Sequence, residues 1–349
     1  MDASGGGGSR EATREGFAAA LAAFLIWGGM PVLYRYLGHV GPAEILAHRI
    51  AWSLPVMAAL IWAFRKGPAL SAALESRRDL GILLLSTALI SINWFVFVMA
   101  MVNGQILSAS LGYYINPLMS VLLGAAFLGE RFSRAQAAAI GLAALGVLNQ
   151  IVAVGVFPWI ALTLATSFAL YGFLRKTTHT DAITGHFVEV AMLIPLAIIF
   201  ILWLERAGEG HFMTQGDPRT ATLLLISGPL TVAPLVLFTL GARRLRLSTI
   251  GLLQYLAPSI QFALGVAYGE AFTWRHLVTF ALIWSGLALY SADMWRRDRR
   301  LRRAARMPVP PSAAAPAARA MAAGGASERG DAGRVQNVRR APTMPENSE

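Results

Sequence analysis

Apolar residues follow one another in long blocks, without the alternation of half-buried strands or the single stripe of a soluble helix. A bilayer core of about 30 Å takes roughly 20 helical residues to cross. That window picks out ten blocks: Gly16–Leu37, Ala43–Phe64, Asp79–Val102, Ile106–Leu128, Ala135–Ala153, Phe157–Leu174, Ile183–Leu204, Ala221–Ala242, Ser248–Tyr268 and Trp274–Met294. In lipid the backbone must satisfy its own hydrogen bonds, so segments this long read as helices. The links are short and often hold Gly or Pro, such as Asn103-Gly104-Gln105 and Gly155, so neighbouring spans form hairpins in a compact bundle. Arg10 and Arg14 before the first block resemble the start of a signal peptide, but the apolar run continues to Leu37, too long for a signal core, and an uncleaved first span is expected. The class expected is an all-α membrane protein.

Composition agrees: 56% of the 349 residues are hydrophobic and 14% charged, where a soluble chain carries roughly 25% charged residues. The net charge of +11 is uneven, with a run at Arg296, Arg297, Arg299, Arg300, Arg302, Arg303 and Arg306. This run abuts a span, so its expected partners are anionic lipid headgroups and not nucleic acid. The chain has no cysteine, which excludes disulfides, thiol nucleophiles and zinc–thiolate sites.

Charge also sets orientation. Alternate links hold Arg10 and Arg14; Arg65, Lys66, Arg77 and Arg78; Arg131 and Arg134; Arg175 and Lys176; Arg243, Arg244 and Arg246; then the C-terminal run. The other set holds Arg206 and Arg219 beside Glu205, Glu209 and Asp217. Both termini are expected in the cytoplasm, with an even number of spans. Segments 1–15 and 295–349 read as a disordered N-terminus and a basic, disordered tail, too poor in apolar residues to order themselves.

The chain also repeats. Tyr114-Ile115-Asn116-Pro117 is answered by Tyr255-Leu256-Ala257-Pro258, and Leu128-Gly129-Glu130 by Tyr268-Gly269-Glu270, with a one-residue slip in register between the prolines. Pro55 follows Arg49 by six residues and Pro195 follows Glu189 by six; Trp27-Gly28 matches Tyr171-Gly172 more weakly. The repeats are 16–153 and 157–294. Five spans is an odd number, so the second copy crosses in the opposite sense. Inverted repeats of this kind suit a transporter, because exchanging the conformations of the two halves turns an inward-open state into an outward-open one.

Glu44-Ile45-Leu46-Ala47-His48-Arg49, Ile92-Asn93-Trp94, Ser110 to Pro117, Leu128-Gly129-Glu130-Arg131 and Leu252 to Pro258 resemble RarD proteins, members of the EamA branch of the drug/metabolite transporter superfamily. The resemblance covers about Gly16 to Met294; the tail beyond Arg306 lies outside it. It implies a ten-helix permease of the bacterial inner membrane with a phenotype related to chloramphenicol, and it favours export of a small amphipathic metabolite or drug by alternating access.

Ionisable groups inside spans are rare and functional by default. Helix 2 offers Glu44, His48 and Arg49; helix 7 offers His186 and Glu189. Arg49 and Glu189 hold equivalent places with opposite charge, and could bind substrate charge or pair as a gate, with His48 taking protons near neutral pH. Against this, Glu44 and His48 also suit a helix cap at headgroup level. Pro31, Pro117 and Pro258 free the carbonyls of Trp27, Tyr113 and Gln254 and mark broken helices. Trp27, Tyr113, Tyr114, Tyr171 and Tyr255 could stack on a solute, or could belong to the interfacial aromatic belt. Asn93, Asn116, Asn149, Gln150 and Gln261 could orient a solute or simply tie helices together. Gly141, Ala144 and Gly146 read as close helix packing. No catalytic constellation, phosphate loop or metal cluster is seen, so neither enzymatic activity nor a cofactor is expected; the competing class is a membrane enzyme or sensor for a lipid-soluble ligand, built on the acids and histidines of helices 2 and 7.

Overall fold

The computed structural model describes residues 5–128, 133–245 and 247–306. Its helices are α1 (Gly5–Tyr36), α2 (Pro42–Ala63), α3 (Gly67–Glu75), α4 (Arg77–Val102), α5 (Ile106–Leu128), α6 (Arg134–Asn149, continued by a π-helical turn Gln150–Val154), α7 (Trp159–Thr177), α8 (Ala182–Ala207), α9 (Pro218–Arg244), α10 (Leu247–Leu253), α11 (Leu256–Ala267) and α12 (Trp274–Arg306). Residues to Arg296 form one compact unit; of the second, from Arg297, only the end of α12 is described. The protein is an all-α membrane protein.

The helix starts follow local chemistry. Pro42 and Pro218 occupy first-turn positions, where a missing N–H costs nothing. Ser76, Asp181 and Asp217 accept hydrogen bonds from first-turn amides, and Ser133 and Gln136 form a reciprocal capping box. Glu270 caps a distant helix: its carboxylate accepts from Ile106 N at 2.5 Å and Leu107 N at 2.9 Å, at the start of α5. Burial pushes this carboxyl above its ordinary range, against those two amides. Its counterpart Glu130, with Arg131, lies outside the described residues, as do Arg246 and the chain beyond Arg306.

Among the described residues nine segments are long and apolar enough to cross a membrane, one of them, Thr249–Ala267, made of α10 and α11 together, and α7 falls short of that standard. It carries Arg175 and Lys176 in its last turn and Thr163, Thr166, Ser167 and Tyr171 before them. It packs along α4 and α5, so much of its surface meets protein.

Several expectations about elements need correction. Helix α1 begins at Gly5 and helix α12 continues to Arg306, so parts of both supposedly disordered ends are helical. The short helix α3 was not expected. Pro31 and Pro117 lie inside continuous helices. Of the three prolines named as breaks, Pro258 alone sits beside one: Gln254 and Tyr255 form a turn separating α10 from α11. The packing face of α6 is Ala139, Ala143 and Gly146, while Gly141 and Ala144 are exposed. At Gly146 an added Cβ would lie 2.9 Å from Ile283 of α12, so the small residue is needed there.

Helix packing exchanges partners between the first half (α1–α6) and the second (α7–α12). Helix α1 packs on α9 and α11, while α7 packs on α4 and α5. Helix α2 packs on α9, while α8 packs on α4; α2 meets α8, and α5 meets α11. The two halves thus embrace reciprocally, with α2 and α8 in contact across them.

Candidate functional site

Two polar centres lie between the halves. The first surrounds Arg49 on α2, which is 5% exposed. Its Nε donates to Thr231 Oγ1 on α9 at 2.7 Å and its Nη1 to Tyr34 OH on α1 at 3.3 Å. The guanidinium lies 4.8 Å from the Trp94 ring centroid. The Thr231 hydroxyl donates to Ser227 O at 2.8 Å, which leaves its oxygen lone pairs to accept from the arginine. Among the described residues no carboxylate lies within ion-pair distance of Arg49.

The second centre surrounds Glu189 on α8, which is 0% exposed. Oε1 accepts from Ser86 Oγ on α4 at 2.7 Å and lies 3.7 Å from Arg175 Nε on α7. Oε2 accepts from Tyr171 OH at 3.2 Å and lies 3.4 Å from His186 Nδ1. Arg175 is anchored further by bonds to Thr180 Oγ1 and the Asp181 carbonyl, both 3.1 Å. Arg49 and Glu189 do not pair with each other here: the carboxylate instead has Arg175, from the last turn of α7, as its ion-pair partner. Trp94 lies between the two centres, with its ring 5.6 Å from that of His186.

An aromatic wall adjoins both. Tyr34 meets Phe97, Phe97 meets Tyr113, Tyr113 meets Phe168, and Phe168 meets Tyr171, at centroid distances of 6.0, 5.7, 6.3 and 6.0 Å. Phe168 is 38% exposed, although both its ring partners reach buried polar groups. Tyr113 OH donates to Asn93 Oδ1 at 3.5 Å, and Asn93 Nδ2 holds Leu164 O and Ser167 Oγ of α7 at 3.0 Å. Asn93 thus acts as a tie between helices.

The remaining candidates lie elsewhere. Tyr114 OH and Ser259 Oγ are 2.7 Å apart in an apolar crevice of about 500 Å³ that Tyr255, Phe262 and Trp284 also line. Asn116 Oδ1 is buried without a hydrogen-bond partner. Gln254 stands at the turn before α11. Trp27 packs against Phe24 and Phe238, and its carbonyl, freed by Pro31, accepts from Gln261 Nε2 at 3.1 Å. That proline serves a helix tie. His48 stacks on Phe212 at 4.9 Å with neither ring nitrogen hydrogen-bonded.

Phe212 belongs to the α8–α9 loop, which folds over the start of α2. Glu44 accepts from His211 N at 2.6 Å, with His211 Nδ1 2.9 Å away. Glu205 gathers the amides of Phe212, Met213 and Thr214. A second set of contacts joins the region before and at the start of α8 to the α2–α4 link and the first turn of α4: Lys66 Nζ is 3.4 Å from Asp181, and His179 N donates to Asp79 at 3.4 Å. Sequence reasoning missed Arg175, Thr231, Ser86 and His211. A usable signal was spacing: Tyr34 precedes Arg49 by nearly the interval at which Arg175 precedes Glu189.

These features define a multi-span bundle with buried polar centres between reciprocally packed halves. The EamA-like transporter family model matches residues 14–149. A transporter of Vibrio cholerae is 41% identical over 292 residues, covering 83% of this chain and 96% of that protein. Protein RarD of Escherichia coli K12 is 42% identical over 289 residues, with coverages of 82% and 97%. A Pseudomonas aeruginosa relative named chloramphenicol-sensitive protein RarD is 32% identical over 297 residues, with coverages of 84% and 97%. The chain belongs to the EamA-like transporter family, in its RarD group, and is a multi-pass bacterial membrane protein. A solved structure that is 22% identical shares the fold, with a TM-score of 0.51 over 82% of this chain and 98% of its own.

Proposed function

We propose that the protein is a secondary transporter that exports a small amphipathic metabolite or drug by alternating access. On this reading α7 is a tenth span, both termini are cytoplasmic, and the halves are inverted copies. The observation that carries it is the reciprocal bonding of the two centres. Arg49 of α2 bonds a hydroxyl on α9, and Glu189 of α8 bonds a hydroxyl on α4. In each case the second span of one half holds the third span of the other, as expected of two copies related by a two-fold axis in the membrane plane.

The end contacts support the same reading. Glu44–His211 ties one end of the bundle and Lys66–Asp181 with Asp79–His179 the other, so opening one side breaks one set and leaves its mirror image intact. The exposed Arg296, Arg297, Arg299 and Arg300 would rest on anionic headgroups.

The test is uptake into vesicles of the purified chain, screening amino acids, chloramphenicol and other amphipathic solutes with and without a proton gradient. Saturable flux lost in Glu189→Ala is expected. Absence of protein-dependent flux for every solute would overturn the proposal.

A further inference from the structure

The two centres differ in charge balance. Glu189 has Arg175 beside it and hydrogen bonds from Ser86 and Tyr171. Arg49 is buried with two hydroxyls and an indole face as its partners, and among the described residues no carboxylate neutralises it. A cation held away from water and lipid headgroups is unfavourable unless something offsets it. Hydroxyls and a ring face offset it partly. A guanidinium has five N–H donors in a planar fork suited to a carboxylate, and the two hydroxyls occupy two of them.

Resting on the transporter reading above, we propose that Arg49 is the recognition site for an organic anion: a carboxylate docks on the guanidinium while an apolar or aromatic body lies along the part-exposed rings of Trp94, Tyr113 and Phe168. The carboxylate removes the charge imbalance, so the loaded centre is favoured over the empty one. The aromatic wall explains why the body is apolar, since its ring faces offer area and few hydrogen bonds. A cationic solute meets an uncompensated like charge and is rejected. Thr231 and Tyr34 hold the guanidinium in place and thereby position the site.

The experiment uses the full chain in lipid nanodiscs at neutral pH, with phenylacetate, 2-phenylethanol and phenethylamine as anionic, neutral and cationic probes of one shape. Chloride and sulfate serve as inorganic anions. Binding is read by tryptophan fluorescence and thermal shift. Phenylacetate is expected to bind at least about tenfold more tightly than the alcohol or the amine, the scale of one charge-assisted hydrogen bond. Arg49→Gln should abolish that preference, and Arg49→Lys, which keeps the charge, should retain part of it and also controls for folding. Failure of phenylacetate to bind, equal binding of the three probes, chloride or sulfate binding as tightly as phenylacetate, or a preference surviving in Arg49→Gln would overturn the anion site. Flux in vesicles is measured separately. Transport of the amine or alcohol without phenylacetate keeps the transporter and removes the anion site; Arg49-dependent phenylacetate binding in a chain that moves no solute does the reverse.

Discussion

Ser86 on α4 donates a 2.7 Å hydrogen bond to Glu189 on α8, joining the two halves at a fully buried carboxylate. Arg175 supplies the opposite charge from α7, so three helices converge on one side chain. Breaking a buried ion pair on one side leaves the other charge unpaired and costs about 3–5 kcal/mol, while removing both is far milder.

Arg175→Gln is therefore expected to lower the unfolding free energy by about 3 kcal/mol, and the double variant Arg175→Gln/Glu189→Gln to recover part of that loss. Thermal unfolding in nanodiscs checks it. Simple addition of the two single effects would show that the pair is uncoupled.

Close helix crossings predict a contrast among glycines. An added Cβ at Gly112 would lie 2.7 Å from the Ala161 carbonyl oxygen, and at Gly228 it would meet the backbone of Trp52, so neither neighbour can give way by a rotamer change. At Gly172 nothing lies within 4 Å. Gly112→Ala and Gly228→Ala should each destabilise by about 1–3 kcal/mol, whereas Gly172→Ala should be neutral or stabilising by up to about 1 kcal/mol. Equal melting temperatures for the three variants would contradict the crossings.

Much of this architecture was legible in the chain. Run lengths located the spans, and the rarity of charge within them singled out Arg49 and Glu189. The pairing was hidden because Arg175 sits in the last turn of α7, where a basic residue reads equally well as a topology signal. The separation of α10 from α11 was also hidden: Pro117 and Pro258 look alike in sequence, but only the second adjoins a turn. Helix α3 is too short to register with a membrane window, and the reach of His211 to Glu44 joins residues far apart in the chain.

Asp181 gives a pH signature at one end of the bundle. Burial works to raise its carboxyl, but the Thr184 hydroxyl and amide and the Lys66 ammonium outweigh it and hold the group below the ordinary range. With the folded value below the unfolded one, its stabilisation is complete above the ordinary carboxylate range and is lost as pH falls through the folded value. Asp181→Asn retains a capping side chain and removes the titration. The wild type should lose more thermal stability than this variant between neutral and acid pH; parallel curves would contradict the assignment.

The α8–α9 loop is held by two carboxylates with separate duties. Glu44→Gln should speed hydrogen exchange at the His211 amide, and Glu205→Gln at Phe212, Met213 and Thr214, because those amides donate to the respective acids. Unchanged protection in both variants would show that the loop is held by other contacts.

The central claim, that mirror-image ends open in turn, is tested most directly by distances at both ends of one molecule. The absence of native cysteine allows spin labels at Gly41→Cys and Met213→Cys for the α2 end, and at Gly67→Cys and Lys176→Cys for the α8 end, all exposed positions. Each pair is measured by double electron–electron resonance in nanodiscs, with Glu44→Gln releasing one end and Asp181→Ala the other. The expected result is anticorrelation: Glu44→Gln lengthens the first distance and leaves the second short, and Asp181→Ala does the opposite. Lengthening of both distances together in either variant would contradict alternating access.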